Sequence, residues 1–347
     1  MPVIGIIVSG QSIDNFLEFP PKTKFVEHAS FSWSAFVYLS IFCLCIIMPV
    51  LIQIRNIKLF RQKYKFIINF PWWGILSAIS MILFWIISWS NFNIFLKFKA
   101  FVFFFLWLSY IFTINALVFA KTGECLLTQQ TNRFFFLFPA SAIFWWYFEY
   151  INEFVKNWYY VGAYEYSQME IFLLSTLSFS TVLPAVSSTC DLLLNITWIK
   201  ENFKGKWKIE NPRPKLSALF LLIVSCLGLV YISVFPEYLY PIVWISPLLI
   251  LISIQILFNE QNILSGITKG EWSLIISAAL AALICGIFWE IWNYYSIPKW
   301  KYSIPYVHRF QVFEMPVLGF WGYFPFGLLC IAVAEMTGIT LKNNNLR

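Results

Sequence analysis

Apolar runs of about 20 residues recur along this chain with almost no charged side chains inside them, the length a helix needs to cross the hydrocarbon core of a bilayer. Lipid offers the backbone no hydrogen-bond partners, so such runs fold as helices that satisfy their own polar groups. Composition agrees: 60% of the 347 side chains are hydrophobic and 12% are charged, about half the charge of an ordinary soluble domain. The fold class that follows is an all-α polytopic membrane protein. A water-soluble globule is excluded.

Spanning helices are expected at residues 31–54, 66–90, 100–120, 134–155, 169–198, 216–235, 240–258, 271–295 and 312–336, nine in all. The loop from Arg55 to Lys65 carries five positive residues and that from Ile199 to Lys215 carries six, so both belong on the cytoplasmic side. Nine crossings make their parities agree, with 16 Lys and Arg inside and 8 outside. The N-terminus is then outside and the C-terminus cytoplasmic, in the plasma (inner) membrane. The net charge of +7 reads as membrane orientation, and no nucleic-acid partner is expected. Residues 1–30, with Glu18, Pro20-Pro21 and Glu27-His28, are too polar and proline-broken to span and read as an outer-face segment. No basic stretch precedes the short apolar patch Val3 to Val8, so a cleaved signal peptide is not expected. Tryptophan and tyrosine gather near the expected helix ends, as interfacial belts require.

A motif recurs. Phe148-Glu149-Tyr150-Ile151-Asn152 ends the fourth helix and Trp289-Glu290-Ile291-Trp292-Asn293 the eighth; Trp158-Tyr159-Tyr160 and Trp300-Lys301-Tyr302 follow. Both read aromatic-Glu-x-x-Asn, then Trp-x-Tyr. The preceding helices carry Asn115 and Gln255, 34 and 35 residues before the glutamates, and the following helices begin with Glu170 and Glu314. Two parallel four-helix repeats, 66–198 and 216–336, are therefore expected, related by an axis along the membrane normal. An extra first helix and its basic loop (31–65), a basic linker (199–215) and a tail (337–347) complete the chain. Chance similarity between aromatic-rich helices, or a repeat kept for packing, are the alternatives.

Intramembrane carboxyls are expensive and are functional candidates by default. Glutamate three residues before asparagine shares a helix face with it, so Asn152 and Asn293 are expected to hold Glu149 and Glu290 by hydrogen bonds. A carboxyl held so can donate a proton; the plain alternative is a side chain reaching the headgroups or locking helices together. Glu153 and Asp191 are weaker candidates. The ninth helix, from Glu314 to Gly327, holds Pro316, Pro325, Gly319 and Gly322 and is expected to be broken, lining a site or packing closely on a neighbour. Glu290, which precedes it, is therefore ranked ahead of Glu149. His308-Arg309, just before that helix, can bind a lipid phosphate or substrate carboxylate, or anchor the interface.

Seven cysteines lie mostly inside apolar runs with no Cys-x-x-Cys pair, and His28 and His308 are the only histidines, so no metal is expected. No serine-hydrolase elbow, zinc-protease motif, phosphate-cradling loop or dinucleotide fingerprint is present, and no cofactor is expected.

The duplicated unit, with Trp300-Lys301-Tyr302 followed by Glu314-Met315-Pro316, resembles the membrane-integral lycopene cyclase domains over about 60 residues per half. Here the acid precedes the proline and is single, where that family has a proline followed by paired acids. The resemblance implies polyene chemistry, with a carboxylic acid protonating a double bond and aromatic faces stabilising the cation. Two readings stay open. One is an enzyme acting on a lipid or isoprenoid at the outer leaflet, with Glu290, Glu149, Asn293, Asn152 and Glu314 in the chemistry and Trp158, Tyr160, Trp300, Tyr302, His308, Arg309 and Glu170 around a hydrophobic small molecule or lipid. The other is a non-enzymatic carrier or membrane subunit, whose partner is a proton, a ligand or another membrane protein.

Overall fold

The computed structural model describes residues 1–10, 12–21, 23–55, 69–90, 98–163 and 166–341. Most of the basic loop Arg55 to Lys65, the first residues of the expected helix 66–90 and the end of the tail lie outside the described residues.

The described residues are mainly helical. Its helices are α1 (Pro2–Val8), α2 (Trp33–Arg55), α3 (Trp72–Trp89), α4 (Lys99–Thr122), α5 (Leu126–Gln129), α6 (Thr131–Val155) and α7 (Gln168–Phe179). There follow α8 (Val182–Leu194), α9 (Thr197–Asn202), α10 (Pro214–Tyr231), α11 (Pro236–Leu239), α12 (Ile242–Leu257), α13 (Ser273–Asn293) and α14 (Tyr323–Met336). Among the described residues, eight helical segments are long and apolar enough to cross a membrane, taking α7 with α8 as one and Val317–Met336 as another. The remaining expected span, 240–258, is α12, with 16 residues, about 24 Å of helix against a hydrocarbon core of about 30 Å.

One expected helix is corrected, and the break expected in another takes a definite form. The run 169–198 is divided at Ser180 and Thr181, because Pro184 has no amide to close the next turn. Ser141 of α6 fills the break: its hydroxyl donates to the Phe179 carbonyl (2.6 Å) and accepts from the Leu183 amide (3.0 Å). The run 312–336 begins as a hairpin of β3 (Gln311–Val312) and β4 (Met315–Pro316), continues as a 3-10 turn over Val317–Gly322, and becomes α-helical only at Tyr323. Glu314 therefore lies in a hairpin turn and does not start a helix.

The centre is α8. All of its residues but Leu192 are buried, and its Ala, Ser, Thr and Cys side chains let α4, α6, α13 and α14 approach closely. Close approach also sets the α13–α14 seam, where a Cβ on Gly327 would come within 2.1 Å of the Ala278 carbonyl oxygen. Within the first half α3 packs on α4, α4 on α8 and α6 on α8; within the second α10 packs on α12, α12 on α14 and α13 on α14. The mid-span amides are used differently. Asn115 donates to Ser188 of α8 (2.8 Å) and accepts from the Leu127 amide, whereas the Gln255 side-chain oxygen is buried without a partner among the described residues.

One end of the bundle is covered by non-spanning chain. Strands β1 (Trp158–Val161) and β2 (Lys299–Tyr302) pair antiparallel there, with Trp158 opposite Tyr302 and Tyr160 opposite Trp300. Helix α1 rests on the end of α10, with Gly5 against the Val230 carbonyl. Farther along, Phe16 stacks on Phe154 at 4.8 Å. His28 Nδ1 lies 2.6 Å from Glu237 Oε1, and the Ala29 amide donates to the other oxygen of that carboxylate.

Candidate functional site

The end of α6 shows how the recurring motif is built. The helix stops at Val155 with Lys156 in the left-handed conformation (φ 52°), which leaves the amides that follow without helical partners. Asn152 supplies them: its Oδ1 accepts from the amides of Asn157 (2.9 Å) and Trp158 (3.3 Å), and its Nδ2 donates to the Trp158 carbonyl (2.8 Å). At the end of α13, Asn293 does the same for Trp300, accepting from its amide (2.9 Å) and donating to its carbonyl (2.8 Å). This corrects the expected pairing of each asparagine with its glutamate. Backbone amides of an emerging strand compete for the side chain and win.

Freed from the asparagines, the carboxyls meet the aromatic residues of the strands. Glu149 is 2% exposed, and its Oε1 accepts from Tyr160 Oη (2.6 Å), Trp145 Nε1 (3.0 Å) and Trp158 Nε1 (3.1 Å). Its Oε2 takes no hydrogen bond among the described residues. Glu290 is fully buried; its Oε1 accepts from Tyr302 Oη (2.7 Å) and, at 3.4 Å, from Tyr323 Oη, while Trp300 Nε1 donates to the Tyr302 oxygen (2.8 Å). The Glu290 Oε2 is buried without a partner among the described residues. Burial first, and then the adjacent carboxyl, push the Tyr160 and Tyr302 phenols well above their ordinary range, so both stay protonated donors.

Beside these groups lies a cavity of about 1140 Å³, above the usual range for drug-sized ligands. Its wall is mainly apolar and aromatic and includes Trp158, Tyr160, Trp300 and Tyr302 from the strands, with Trp145, Trp244, Trp289 and Tyr323. Trp158 lies 5.9 Å from Trp244 between ring centroids, and Trp289 stacks on Tyr323 at the same distance. Glu149 lines the cavity and Glu290, which the sequence ranked first, does not. The far wall is α2. That helix is tied to the rest near its two ends, by the Ser32 amide to the Tyr306 carbonyl (2.9 Å) and Gln53 Nε2 to the Asn202 carbonyl (3.0 Å). Between these ties Leu39, Phe42, Cys43, Ile46 and Ile47 face the cavity.

The remaining candidates fall elsewhere. Glu170 is exposed and caps α7, accepting from the Ser167 amide (2.8 Å) while its own amide donates to the Ser167 hydroxyl. Glu314 is paired with Lys299 (2.5 Å). Arg309 sits over the rings of Phe31 (4.9 Å), Trp33 (5.2 Å) and Phe310 (5.4 Å), and His308 faces Gln311; neither lines the cavity. Sequence reasoning missed Trp145 and Tyr323, which donate to the two glutamates. For Trp145 a signal was present, since it precedes Glu149 by one helical turn.

No known protein family, curated protein or solved structure matches the chain.

Proposed function

We propose that this integral membrane protein is an enzyme that acts on a lipid or isoprenoid by carboxylic acid and base chemistry at the outer leaflet. One observation carries the reading: the buried Glu149 carboxyl lies in the wall of a large aromatic cavity, with three donors on one oxygen and the other oxygen left for a ligand. Three donors on Oε1 direct the titratable proton to Oε2. Transfer of that proton to a carbon–carbon double bond gives a carbocation, which the faces of Trp145, Trp158 and Trp244 stabilise. Attack by a second double bond of the same molecule closes a ring and moves the charge, and return of a proton to the Glu149 carboxylate yields an isomer. Atoms and electrons balance without a co-reactant. Glu290 acts from behind, through the hydrogen bonds of Tyr302 and Tyr323, as a positioning residue.

The excess of Lys and Arg in the loops assigned inside supports the plasma (inner) membrane orientation with the motif end outside. The repeat reading draws support from the matching Asn152 and Asn293 contacts, the strand pairing across the two motifs and the recurring helix contacts of the two halves. The resemblance to lycopene cyclase domains supports the choice of polyene chemistry.

The test compares lipid extracts of cells carrying the wild type, Glu149→Gln and Glu290→Gln. Removing a general acid lowers the rate by about 10²–10⁴, so we expect Glu149→Gln to abolish the protein-dependent lipid product at normal protein abundance. Glu290→Gln should reduce it less. Unchanged product in both variants would favour the carrier or subunit reading.

A further inference from the structure

Three of the residues lining the cavity carry formal charge: Glu149, Lys24 and Lys99. Lys24 is exposed on the N-terminal segment. Lys99 is 6% exposed, and its ammonium has no hydrogen bond or ion pair among the described residues. A lysine this enclosed presents its ammonium to a mainly apolar cavity, where an anion is the favourable partner. Lys99 is also the first residue of the 24-residue helix α4, whose preceding residue, Phe98, provides no side-chain cap. The start of a helix carries unpaired amides and partial positive charge, so a lysine there adds charge at the unfavourable end. Both features call for an anion at the same point, and the cavity wall gives that anion access. The place is near the motif: Phe103, one turn along α4, packs on Trp300 at 5.5 Å between centroids, and Ser296, Ile297 and Pro298 share the wall.

We propose that Lys99 and the first amides of α4 hold the phosphate head group of a long-chain lipid whose hydrocarbon lies in the aromatic cavity. A phosphate has enough oxygens to meet the ammonium and the amides together. The surrounding apolar wall asks for a chain attached to it, which a free anion lacks. The inference rests on the cavity's being a lipid site and narrows its substrate class to an anionic, amphipathic lipid in place of a neutral hydrocarbon.

Binding to the full chain in nanodiscs of uncharged lipid, read by quenching of tryptophan fluorescence, tests it without reference to turnover. Geranylgeranyl phosphate should bind at least tenfold more tightly than geranylgeraniol. Lys99→Met should bring the two within twofold of each other and leave the affinity for the alcohol unchanged, which also certifies the fold of the variant; Lys99→Arg should keep the preference. Equal affinities in the wild type, or a preference that survives Lys99→Met and Lys99→Gln, would overturn the head-group site while leaving the lipid cavity standing. Inorganic phosphate alone should not displace the lipid at equal concentration; displacement would mark a free-anion site and overturn the assignment to a lipid. Failure of both prenyl probes to bind would overturn this inference and the cavity reading together.

Discussion

At the end of α6 the Glu149 carboxyl has two indoles and a phenol on one oxygen and open cavity beside it, whereas at the end of α13 the Glu290 carboxyl has two phenols and no access to that cavity. Both helices end in the same asparagine clasp and lead to strands that pair with each other. The difference lies in what the next helix brings. In the second half α14 presents Tyr323 to Glu290, stacked on Trp289. In the first half the next helical segment is broken at Ser180 and Thr181, and Phe179 and Val182 form cavity wall instead of covering the carboxyl. Under the proposed reaction one motif serves two ends: the carboxyl held behind tyrosines braces the fold, and the one left uncovered supplies the acid.

The comparison can be broken first at the clasps. Asn152→Ala strands two buried amides and Asn293→Ala strands one. We expect a loss of about 2–3 kcal/mol for the former and about 1–2 kcal/mol for the latter, measured by unfolding in mixed detergent micelles. Equal losses would show that the clasps carry the same load despite their different bond counts. A smaller contrast is expected at the phenols. Tyr302→Phe leaves Glu290 with the 3.4 Å contact to Tyr323 and orphans the Trp300 indole, whereas Tyr160→Phe leaves Glu149 with two indole donors. Stability should fall by about 1 kcal/mol more for Tyr302→Phe than for Tyr160→Phe, and the reverse order would place the better-supported carboxyl in the second half.

The membrane class and most spans were legible because a period of apolar residues about 20 long has one structural meaning in lipid. The recurring Glu-x-x-Asn and Trp-x-Tyr spacing marked the residues that the structure gathers around the carboxyls. Their bonding was not legible. Helical spacing places Asn152 beside Glu149, but the unpaired amides of Asn157 and Trp158 exist only once the helix has ended at Lys156. The break before α8 had a visible cause in Pro184, yet the group that makes it tolerable is Ser141 on another helix. The break in 312–336 was legible in Pro316, Pro325 and the glycines, but its form, a hairpin at 311–316 and a 3-10 turn before Tyr323, was not. Lys99 counted as one of eight outer charges until packing placed it in a wall.

The central claim is that the two glutamates differ in access to the cavity, and a lipophilic carbodiimide reads that access directly. Dicyclohexylcarbodiimide reacts with protonated carboxyls that it can reach from an apolar phase, and peptide mass spectrometry locates the adduct. We expect modification at Glu149, slowed by a bound long-chain lipid, and little or none at Glu290. Modification of Glu290 as fast as Glu149, or labelling of Glu149 that bound lipid leaves unchanged, would contradict the account.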